Sequence, residues 1–387
     1  MKVGIICYAS VGGSGVVATE LGYALAARGH EVHLVSSELP FRWRTIPGLT
    51  FERVVMPSYP LFHEPQYLLG LTNTLVRVSR ERHLDILHAH YAVPHATAAF
   101  LAHEILATTS EPGFTAPRTV TTLHGTDITL VGSDPSYARV VAFSIEQSHG
   151  VTAVSESLRG QTIASLGIHR DIRVIPNFLD CALYQRMSNH RLSDLICPRA
   201  EGEAIVLHMS NFRPVKRVGL VLDVFRKIRE RVRARLVMIG DGPDRGALES
   251  RVAELGLHDA VTFLGEQLDL VPWLSAADLF LLPSAQESFG MAALEAMTCE
   301  VVVVASRVGG LPEVIEDGVT GFLCDPDDVD GMAARGVSVL TDPDLRARVG
   351  RAAAMHVRSR YCVGEIVPLY EQYYEEVLRQ GEGRPLP

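Results

Sequence analysis

The sequence lacks several features that would place it in a class at once. No apolar run approaches the ~20 residues that span a bilayer, and no basic tail or stripe is present. The formal net charge is −9 over 387 residues, so we expect neither a nucleic-acid partner nor stable membrane association. A strand-like run directly after Met1 leaves no space for a signal peptide, which predicts a cytoplasmic protein.

The cysteines also lack the spacing of a disulfide framework or a zinc site. Six of them are scattered along the chain without a C-x-x-C pair, which predicts reduced thiols, with Cys7 packed in a buried strand. His88 and His90 alternate along one strand and raise a metal hypothesis. No third ligand has suitable spacing, so no metal is expected and hydrogen bonding is favoured.

What the sequence does contain is a regular alternation of short β-branched runs and helical patterns. It predicts an α/β protein of two Rossmann-like parallel-sheet domains facing a cleft, one over 1–177 and one over 178–363. The polar stretch 177–203 is typical of a hinge between them. An amphipathic helix at about 364–380 is expected to pack on the first domain.

A glycine-rich turn, in SVGGSGVVATELG, follows the first strand. Gly13, Gly15 and Ala18 match G-x-G-x-x-A, which indicates a dinucleotide-binding turn or a tight turn without a ligand. A dinucleotide site also needs an acidic residue at the end of the second strand, where Ser36 and Ser37 stand. A dehydrogenase therefore stays an open alternative.

Stretches of the second half carry residues suited to an anionic ligand. Arg213 and Lys216 follow a strand three residues apart, a pairing suited to a diphosphate or typical of a solvated loop. In PSAQESFGMAALEAM, Glu287 precedes a helix that begins after Gly290, and Glu295 lies on that helix. Helix N–H groups bind phosphate, and a carboxylate on an apolar helix needs hydrogen bonds that ribose hydroxyls supply. The alternative is two incidental surface glutamates.

Together with GDGP at 240–243 and HGTD at 124–127, these motifs resemble retaining glycosyltransferases of the GT-B fold. Glu287 to Glu295 matches their E-x7-E motif, and the resemblance covers nearly the whole chain. The stretches HAHYAVPHA, TTLHGTDITLVGSDPS and SNFRPVKRV look further like the family that makes N-acetylglucosaminyl malate in bacillithiol biosynthesis.

The resemblance implies retaining transfer of N-acetylglucosamine from UDP-N-acetylglucosamine to the hydroxyl of L-malate. It implies no metal or other cofactor, and a homodimer would fit it. Another small acceptor (an inositol phosphate, a sugar or a lipid head group) stays open as an alternative. A nucleotide-sugar epimerase of the same fold stays open as well.

The resemblance also implies roles for individual residues. The catalytic set is Glu287, His124, Arg213 and Lys216. Donor contacts are expected from Gly13, Arg213, Lys216, Asp241, Glu287, Phe289, Gly290, Met291 and Glu295. Acceptor contacts are expected from Gly12, Gly13, Ser14, Tyr91, Thr126 and Arg139.

Individual positions have more specific expectations. Glu295 would hold the uridine ribose, Glu287 the donor-sugar hydroxyls, and His124 the region of the sugar 6-hydroxyl.

Two departures from the resemblance have expected consequences. Ala142 occupies a position where these enzymes have an acceptor-binding arginine, and Arg139, one turn earlier, is the expected replacement. Glu300 and Val302 stand where the family has Gly and Pro, with an expected cost in local stability.

Overall fold

The computed structural model describes residues 1–9, 13–41, 43–56, 66–108, 112–187 and 202–380. The chain divides into two compact units: residues 1–177 with the C-terminal segment from Gly364, and Phe178–Val363. Each unit is built on a wholly parallel sheet whose strands alternate with helices. The predicted α/β class with two parallel-sheet domains is confirmed.

The sheet of the first unit has seven strands in the described residues. They are β1 Lys2–Ile6, β2 Glu31–Ser36, β3 Leu49–Arg53, β4 Ile86–His90, β5 Arg118–Leu123, β6 Gly150–Ala153 and β7 Arg173–Val174. Their order is β3-β2-β1-β4-β5-β6-β7. The order reverses between β1 and β4, and ligands of such sheets bind at the carboxyl ends of the strands at that switch point.

Helices cover both faces of this sheet. They are α1 Ser14–Ala27, α2 Tyr67–Arg82, α3 Thr97–Ala107, α4 Ala138–Gln147 and α5 Glu156–Leu166. Wide helical turns at Ala92–Ala96 and Asp127–Val131 follow β4 and β5 closely. A core of fully buried aliphatic side chains joins α2 and α3 to the sheet, including Leu71, Leu75 and Ile6. This core fixes the strand ends, and with them the loops that follow.

The second unit repeats the architecture with six strands in its described part. They are β8 Ala204–Met209, β9 Ala234–Ile239, β10 Val261–Gly265, β11 Leu279–Leu282, β12 Val302–Ser306 and β13 Phe322–Cys324. Their order, β10-β9-β8-β11-β12-β13, puts the switch point between β8 and β11. Every residue of β11 and β12 is buried, as expected of parallel strands covered on both faces.

The helices of the second unit include one that begins at the candidate donor site. They are α6 Val218–Arg229, α7 Arg245–Glu254, α8 Val271–Ala276, α9 Met291–Thr298, α10 Leu311–Val314, α11 Val329–Thr341 and α12 Pro343–Arg360. Of the predicted hinge, residues 188–201 lie outside the described residues. In the described ranges, none of the helices combines the length and apolar character that crossing a bilayer demands.

The last helix, α13 Val363–Arg379, packs on the first unit. Its Tyr373 hydroxyl accepts from the N–H of Val151 at 2.8 Å and donates to the carbonyl of the same residue at 3.0 Å. Glu376 forms an ion pair of 2.7 Å with Arg173. The residues at helical spacing, Ile366, Tyr370, Tyr373 and Val377, are all buried, so the apolar face of this helix becomes part of the first core.

The prediction that the thiols are reduced is wrong for one pair. Cys181 and Cys362 form a disulfide with their Cα atoms 5.5 Å apart, although 181 positions separate them in sequence. Local spacing carries no signal for such a pair, because tertiary folding alone brings the two segments together. Cys7 is a free, buried thiol, and burial raises its pKa to about 12, which fits the predicted packing role.

Candidate active site

The loops after β8 and β11 meet at the switch point of the second sheet. The N–H of Ala285 donates to the carbonyl of Val215 at 2.8 Å. Lys216 places its ammonium nitrogen 2.6 Å from Oε1 of Glu287, and the Ser284 hydroxyl donates to the same oxygen at 2.9 Å. A half-buried carboxylate with two donors is held in one orientation, so Glu287 is a fixed group.

Arg213 and Lys216 lie on the same short helical turn but face different surroundings. The N–H of Lys216 donates to the carbonyl of Arg213 at 2.8 Å, which closes the turn. The Arg213 side chain is exposed, whereas that of Lys216 is half-buried beside Glu287. The structure thus brings Lys216 to the carboxylate and leaves Arg213 facing solvent, where its guanidinium can reach an anionic ligand.

Helix α9 begins directly after this loop. Gly290 precedes its first residue, Met291, and no side chain caps the helix start. The first N–H groups of a helix have no partner within the helix, and an anion can satisfy them. Phe289 is buried with its ring edge against Tyr361, their centroids 5.7 Å apart. Its side chain therefore anchors the loop, which keeps the helix start in place.

Glu295 projects from the second turn of α9. The Tyr184 hydroxyl donates to Oε1 of its carboxylate at 2.8 Å. Because Glu295 is half-buried, this bond favours one orientation of the carboxylate. Asp241, after β9, accepts the N–H of Gly242 at 2.7 Å and pairs with Arg245 at 3.0 Å. Its carboxylate is exposed and belongs to the loop beside β8.

In the first unit, the glycine turn leads straight into helix α1. Gly13 takes a positive φ of 63° and precedes Ser14, a buried residue at the helix start. The predicted contact Gly12 lies outside the described residues. No side chain caps this helix start, and the first N–H groups of a helix can bind an anion.

Tyr91 follows β4 in a strained backbone conformation. Its φ is 97°, a region that costs a non-glycine residue about 1–3 kcal/mol. The N–H of Tyr91 donates to the carbonyl of Thr122 at 3.1 Å, which ties it to β5. Its ring lies 5.5 Å from the ring of His124, centroid to centroid. The fold therefore holds the Tyr91 ring beside His124 of the HGTD motif.

That motif, HGTD, forms a turn organised by Asp127. One carboxylate oxygen accepts the N–H of Gly125 at 2.8 Å and of His124 at 3.2 Å, while the other accepts the N–H of Ala92 at 3.3 Å. Burial raises the pKa of Asp127 to about 6, although these N–H donors counteract the rise. Thr126 begins the wide turn after β5, so it belongs to the same loop.

Three histidines form hydrogen bonds on β4 and in the HGTD turn after β5. Nδ1 of His90 lies 2.9 Å from Nε2 of His124, so one ring donates to the other. His88 contacts the Tyr374 hydroxyl through Nδ1 and the Thr122 hydroxyl through Nε2, both at 2.7 Å. Burial lowers the pKa of His124 to about 3 and of His88 to about 3. Both imidazoles are neutral near pH 7 and serve as hydrogen-bonding groups.

The His-x-His pair makes hydrogen bonds within the protein, from His88 to Tyr374 and Thr122 and between His90 and His124. The rings of His88 and His90 lie on one face, with centroids 4.4 Å apart. Across the described ranges, no three His, Cys, Asp or Glu side chains form a metal-binding group.

Arg139 and Ala142 lie three residues apart on α4. The Arg139 side chain is exposed and Ala142 is half-buried. The spacing of three residues puts both on neighbouring turns of one helix face. Arg139 could take the role of an arginine at position 142 only if the two positions share a face in this way.

Three residues of these sites were not selected from the sequence. Asp127 lies within the HGTD motif, and an Asp after a strand end is a known turn signal. Tyr184 and Ser284 have no such sequence signal. Tyr184 matters through its contact with Glu295, which is distant in the chain. Ser284 matters through its contact with Glu287, in a loop whose shape the sequence does not specify.

The sequence profile described as glycosyl transferases group 1 matches residues 197–356. The profile described as glycosyltransferase family 4 matches residues 11–183. The first match lies within the second unit, and the second match lies mostly in the first unit.

Solved structures share the fold. Sucrose-phosphate synthase from Thermosynechococcus elongatus superposes with a TM-score of 0.82 at 21% identity, over 98% of this chain and 100% of that one. Anabaena HepE in complex with UDP-glucose gives a TM-score of 0.77 at 22% identity, over 98% and 100% of the two chains. The fold is that of GT-B glycosyltransferases, and the two profile matches place the protein among glycosyltransferases.

Relatives in sequence narrow the class. The chain is 43% identical over 380 residues to N-acetyl-alpha-D-glucosaminyl L-malate synthase of Bacillus anthracis, covering 98% of each. It is 29% identical to D-inositol 3-phosphate glycosyltransferase of Acidothermus cellulolyticus, covering 89% of this chain and 81% of that one. The chain belongs to the glycosyltransferase family that contains this L-malate synthase.

Proposed function

We propose that the chain transfers N-acetylglucosamine from UDP-N-acetylglucosamine to the hydroxyl of L-malate, with retention, as a step of bacillithiol biosynthesis. The observation that carries the proposal is the 43% identity to the malate synthase over 98% of both chains. We further propose that side chains and helix starts of the candidate active site bind both substrates.

We assign the donor to the second unit. Negative charge grows on the leaving diphosphate as the glycosidic bond breaks, and fixed cations and N–H groups stabilise it. Arg213, Lys216 and the start of α9 provide these groups. The ion pair with Lys216 engages Oε1 of Glu287, and we assign Oε2 to the sugar hydroxyls. Glu295 would accept hydrogen bonds from the uridine ribose.

We assign the acceptor to the first unit. Malate carries two carboxylates, which suit the helix start at Gly13 and Ser14 together with hydroxyl donors from Tyr91 and Thr126. Arg139 would add the positive charge that the missing arginine at Ala142 does not supply. His124, neutral because burial lowers its pKa, would exchange a hydrogen bond with a sugar hydroxyl.

The proposed reaction is a front-face displacement. The malate hydroxyl oxygen bonds to the anomeric carbon while the bond from that carbon to the β-phosphate oxygen breaks. The hydroxyl proton goes to the leaving phosphate, and UDP departs. The sugar passes through an oxocarbenium-like state, which the neighbouring diphosphate stabilises. The transfer uses groups of the substrates and of this chain, and we propose it without a metal.

A second acceptor class has its own support. The 29% identical relative is named for inositol 3-phosphate, and Ala142 departs from the expected acceptor arginine. An inositol phosphate is therefore the alternative to compare with malate.

The experiment measures UDP release from UDP-N-acetylglucosamine with L-malate, with inositol phosphate and without acceptor. We expect malate to raise UDP release strongly and NMR of the product to show an α-linked sugar. If inositol phosphate stimulates UDP release and malate does not, the acceptor is an inositol phosphate and the malate assignment is wrong. A β-linked product would contradict the retaining mechanism, and binding of NAD(P) would favour the alternative that the protein is a dehydrogenase.

The family resemblance also leads us to propose a cytoplasmic location and a homodimer. Cell fractionation tests the first, and sedimentation equilibrium of the purified chain tests the second.

A further inference from the structure

The segments that begin and end the second unit are joined to each other. The N–H of Leu179 donates to the carbonyl of Tyr361 at 3.0 Å, and the N–H of Val363 donates to the carbonyl of Leu179 at 2.9 Å. The disulfide between Cys181 and Cys362 adds a covalent bond beside these two hydrogen bonds. The segment 178–181 is therefore fixed by three links to residues 361–363.

The same segment reaches Glu295 a few residues later. The carbonyl of Asp180 accepts the N–H of Leu183 at 3.0 Å and the N–H of Tyr184 at 3.2 Å, which forms a tight turn. Tyr184 follows this turn with its side chain buried, and its hydroxyl reaches Oε1 of Glu295. The disulfide thus anchors the turn that positions this hydroxyl.

We propose that Tyr184 is a positioning residue for Glu295 and that the Cys181–Cys362 disulfide holds it there. Reduction of the disulfide then weakens binding of the nucleotide part of the donor. The inference rests on the proposed function, because that function assigns the uridine ribose to Glu295.

The physical reason is the freedom of the glutamate side chain. A free Glu loses rotamer entropy when it binds a ligand. The Tyr184 bond to Oε1 restricts the rotation of the carboxylate before the ligand arrives. Fixing a group in its bound geometry improves affinity by removing that ordering cost.

The redox step needs a thiol reductant. Two thiols of the reductant give two electrons and two protons to the S–S bond, which becomes the thiols of Cys181 and Cys362, while the reductant becomes its own disulfide. Both cysteines are only partly buried, so a small thiol can reach them. Disulfides of cytosolic proteins are commonly transient or redox-sensing, which agrees with a reducible link at this place.

Reduction leaves the two backbone hydrogen bonds of Leu179 in place. The turn therefore gains freedom without unfolding, and the effect falls on donor affinity more than on turnover. A purely structural role for the disulfide would instead lower the active fraction, and with it the apparent kcat at an unchanged KM.

The test compares the oxidised chain, the chain reduced with dithiothreitol, Tyr184→Phe and the double variant Cys181→Ser with Cys362→Ser. Calorimetry with UDP alone gives the nucleotide affinity, and UDP release gives KM for the donor and kcat. We expect each change to raise both Kd and KM about three- to tenfold, the range of one typical hydrogen bond, with kcat within about twofold.

Controls separate the disulfide from other thiols. Cys324→Ala removes a free thiol and should leave the response to dithiothreitol unchanged, whereas the double serine variant should no longer respond. Adding Tyr184→Phe to the double serine variant should produce little further weakening, because both changes act through one contact.

Several results would overturn the inference. They are an unchanged UDP affinity in Tyr184→Phe, an unchanged affinity after complete reduction, and free Cys181 and Cys362 in the oxidised chain by peptide mass spectrometry. These results concern UDP alone. A chain that binds UDP with the expected redox response but does not glycosylate malate would contradict the proposed acceptor and leave this inference standing.

Discussion

The ammonium nitrogen of Lys216 lies 2.6 Å from Oε1 of Glu287, although 71 positions separate the two residues in sequence. Lys216 belongs to the loop after β8 and Glu287 to the loop after β11, so the contact joins the two strands of the switch point. The family resemblance implies contacts with different parts of the donor, the diphosphate for Lys216 and the sugar for Glu287. Their direct contact means that each of these half-buried side chains restricts the orientation of the other.

Replacement of Lys216 by Met should abolish most transfer. The change removes the cation that we propose lies beside the leaving diphosphate. It also leaves Glu287 without its charged partner, while most of the side-chain length is kept. Loss of one fixed stabilising group costs about a hundredfold or more in kcat. Measurement of UDP release with the donor and L-malate provides the value.

The matched control is Lys227→Met, since that lysine pairs at 2.5 Å with an exposed aspartate, Asp330, on the second unit. Its activity should stay within twofold, because exposed pairs contribute little. Near-normal turnover of Lys216→Met with an unchanged circular dichroism spectrum would remove the residue from the site.

Replacement of Gly309 by Ala should displace the loop that carries Glu287, although the two residues lie far apart in sequence. Gly309 has a φ of 53°, and a Cβ there would stand 1.8 Å from the carbonyl oxygen of Glu287. The adjacent Gly310 N–H donates to that same oxygen at 2.9 Å. The loop must shift to admit a methyl group, and small shifts of catalytic groups cost roughly tenfold to a hundredfold in rate.

Gly318→Ala is the control for the backbone strain of an alanine at a positive φ. Gly318 also has a positive φ, of 77°, but a Cβ there meets nothing within 4 Å. It should lower the free energy of unfolding by about 1–2 kcal/mol and keep the activity. Equal activities of the two alanine variants would show that Gly309 does not support Glu287.

The sequence is sufficient to predict the strand ends, because the apolar runs of β8, β11 and the others are local signals. The pattern of buried positions on α13 follows from helical periodicity for the same reason. Contacts between distant segments are not predictable in this way. The path of the segment 178–184 across the second unit determines two such contacts, that of Tyr184 with Glu295 and that of Cys181 with Cys362. Neither contact produces a periodic pattern in the sequence.

The buried histidines predict a loss of stability in mild acid. Burial holds the pKa of His88 at about 3 in the folded chain, against about 6.5 when unfolded. Above pH 6.5 the ring is neutral in both states. As the pH falls from 6.5 toward 3, only the unfolded state binds the proton, so the stability present at neutral pH is progressively lost.

His88→Gln should reduce this dependence. Glutamine keeps hydrogen-bonding capacity toward Tyr374 and Thr122 but does not titrate. The difference in unfolding free energy between pH 7 and pH 5, measured with urea, should shrink by about 2 kcal/mol. His258→Gln, at an exposed histidine, is the control. A pH dependence equal to that of the parent chain would contradict the assignment.

Glu300 offers a stabilising substitution outside the chemistry. It has a φ of 60° in the turn before β12, a conformation that glycine adopts freely and that other residues occupy at a cost of about 1–2 kcal/mol. Glu300→Gly should therefore raise the melting temperature by a few degrees and leave UDP release unchanged. Glu300→Ala removes the same carboxylate but keeps a Cβ, so it should gain little. If both variants melt at the same elevated temperature, the charge of the side chain, rather than the backbone, is the source of the cost.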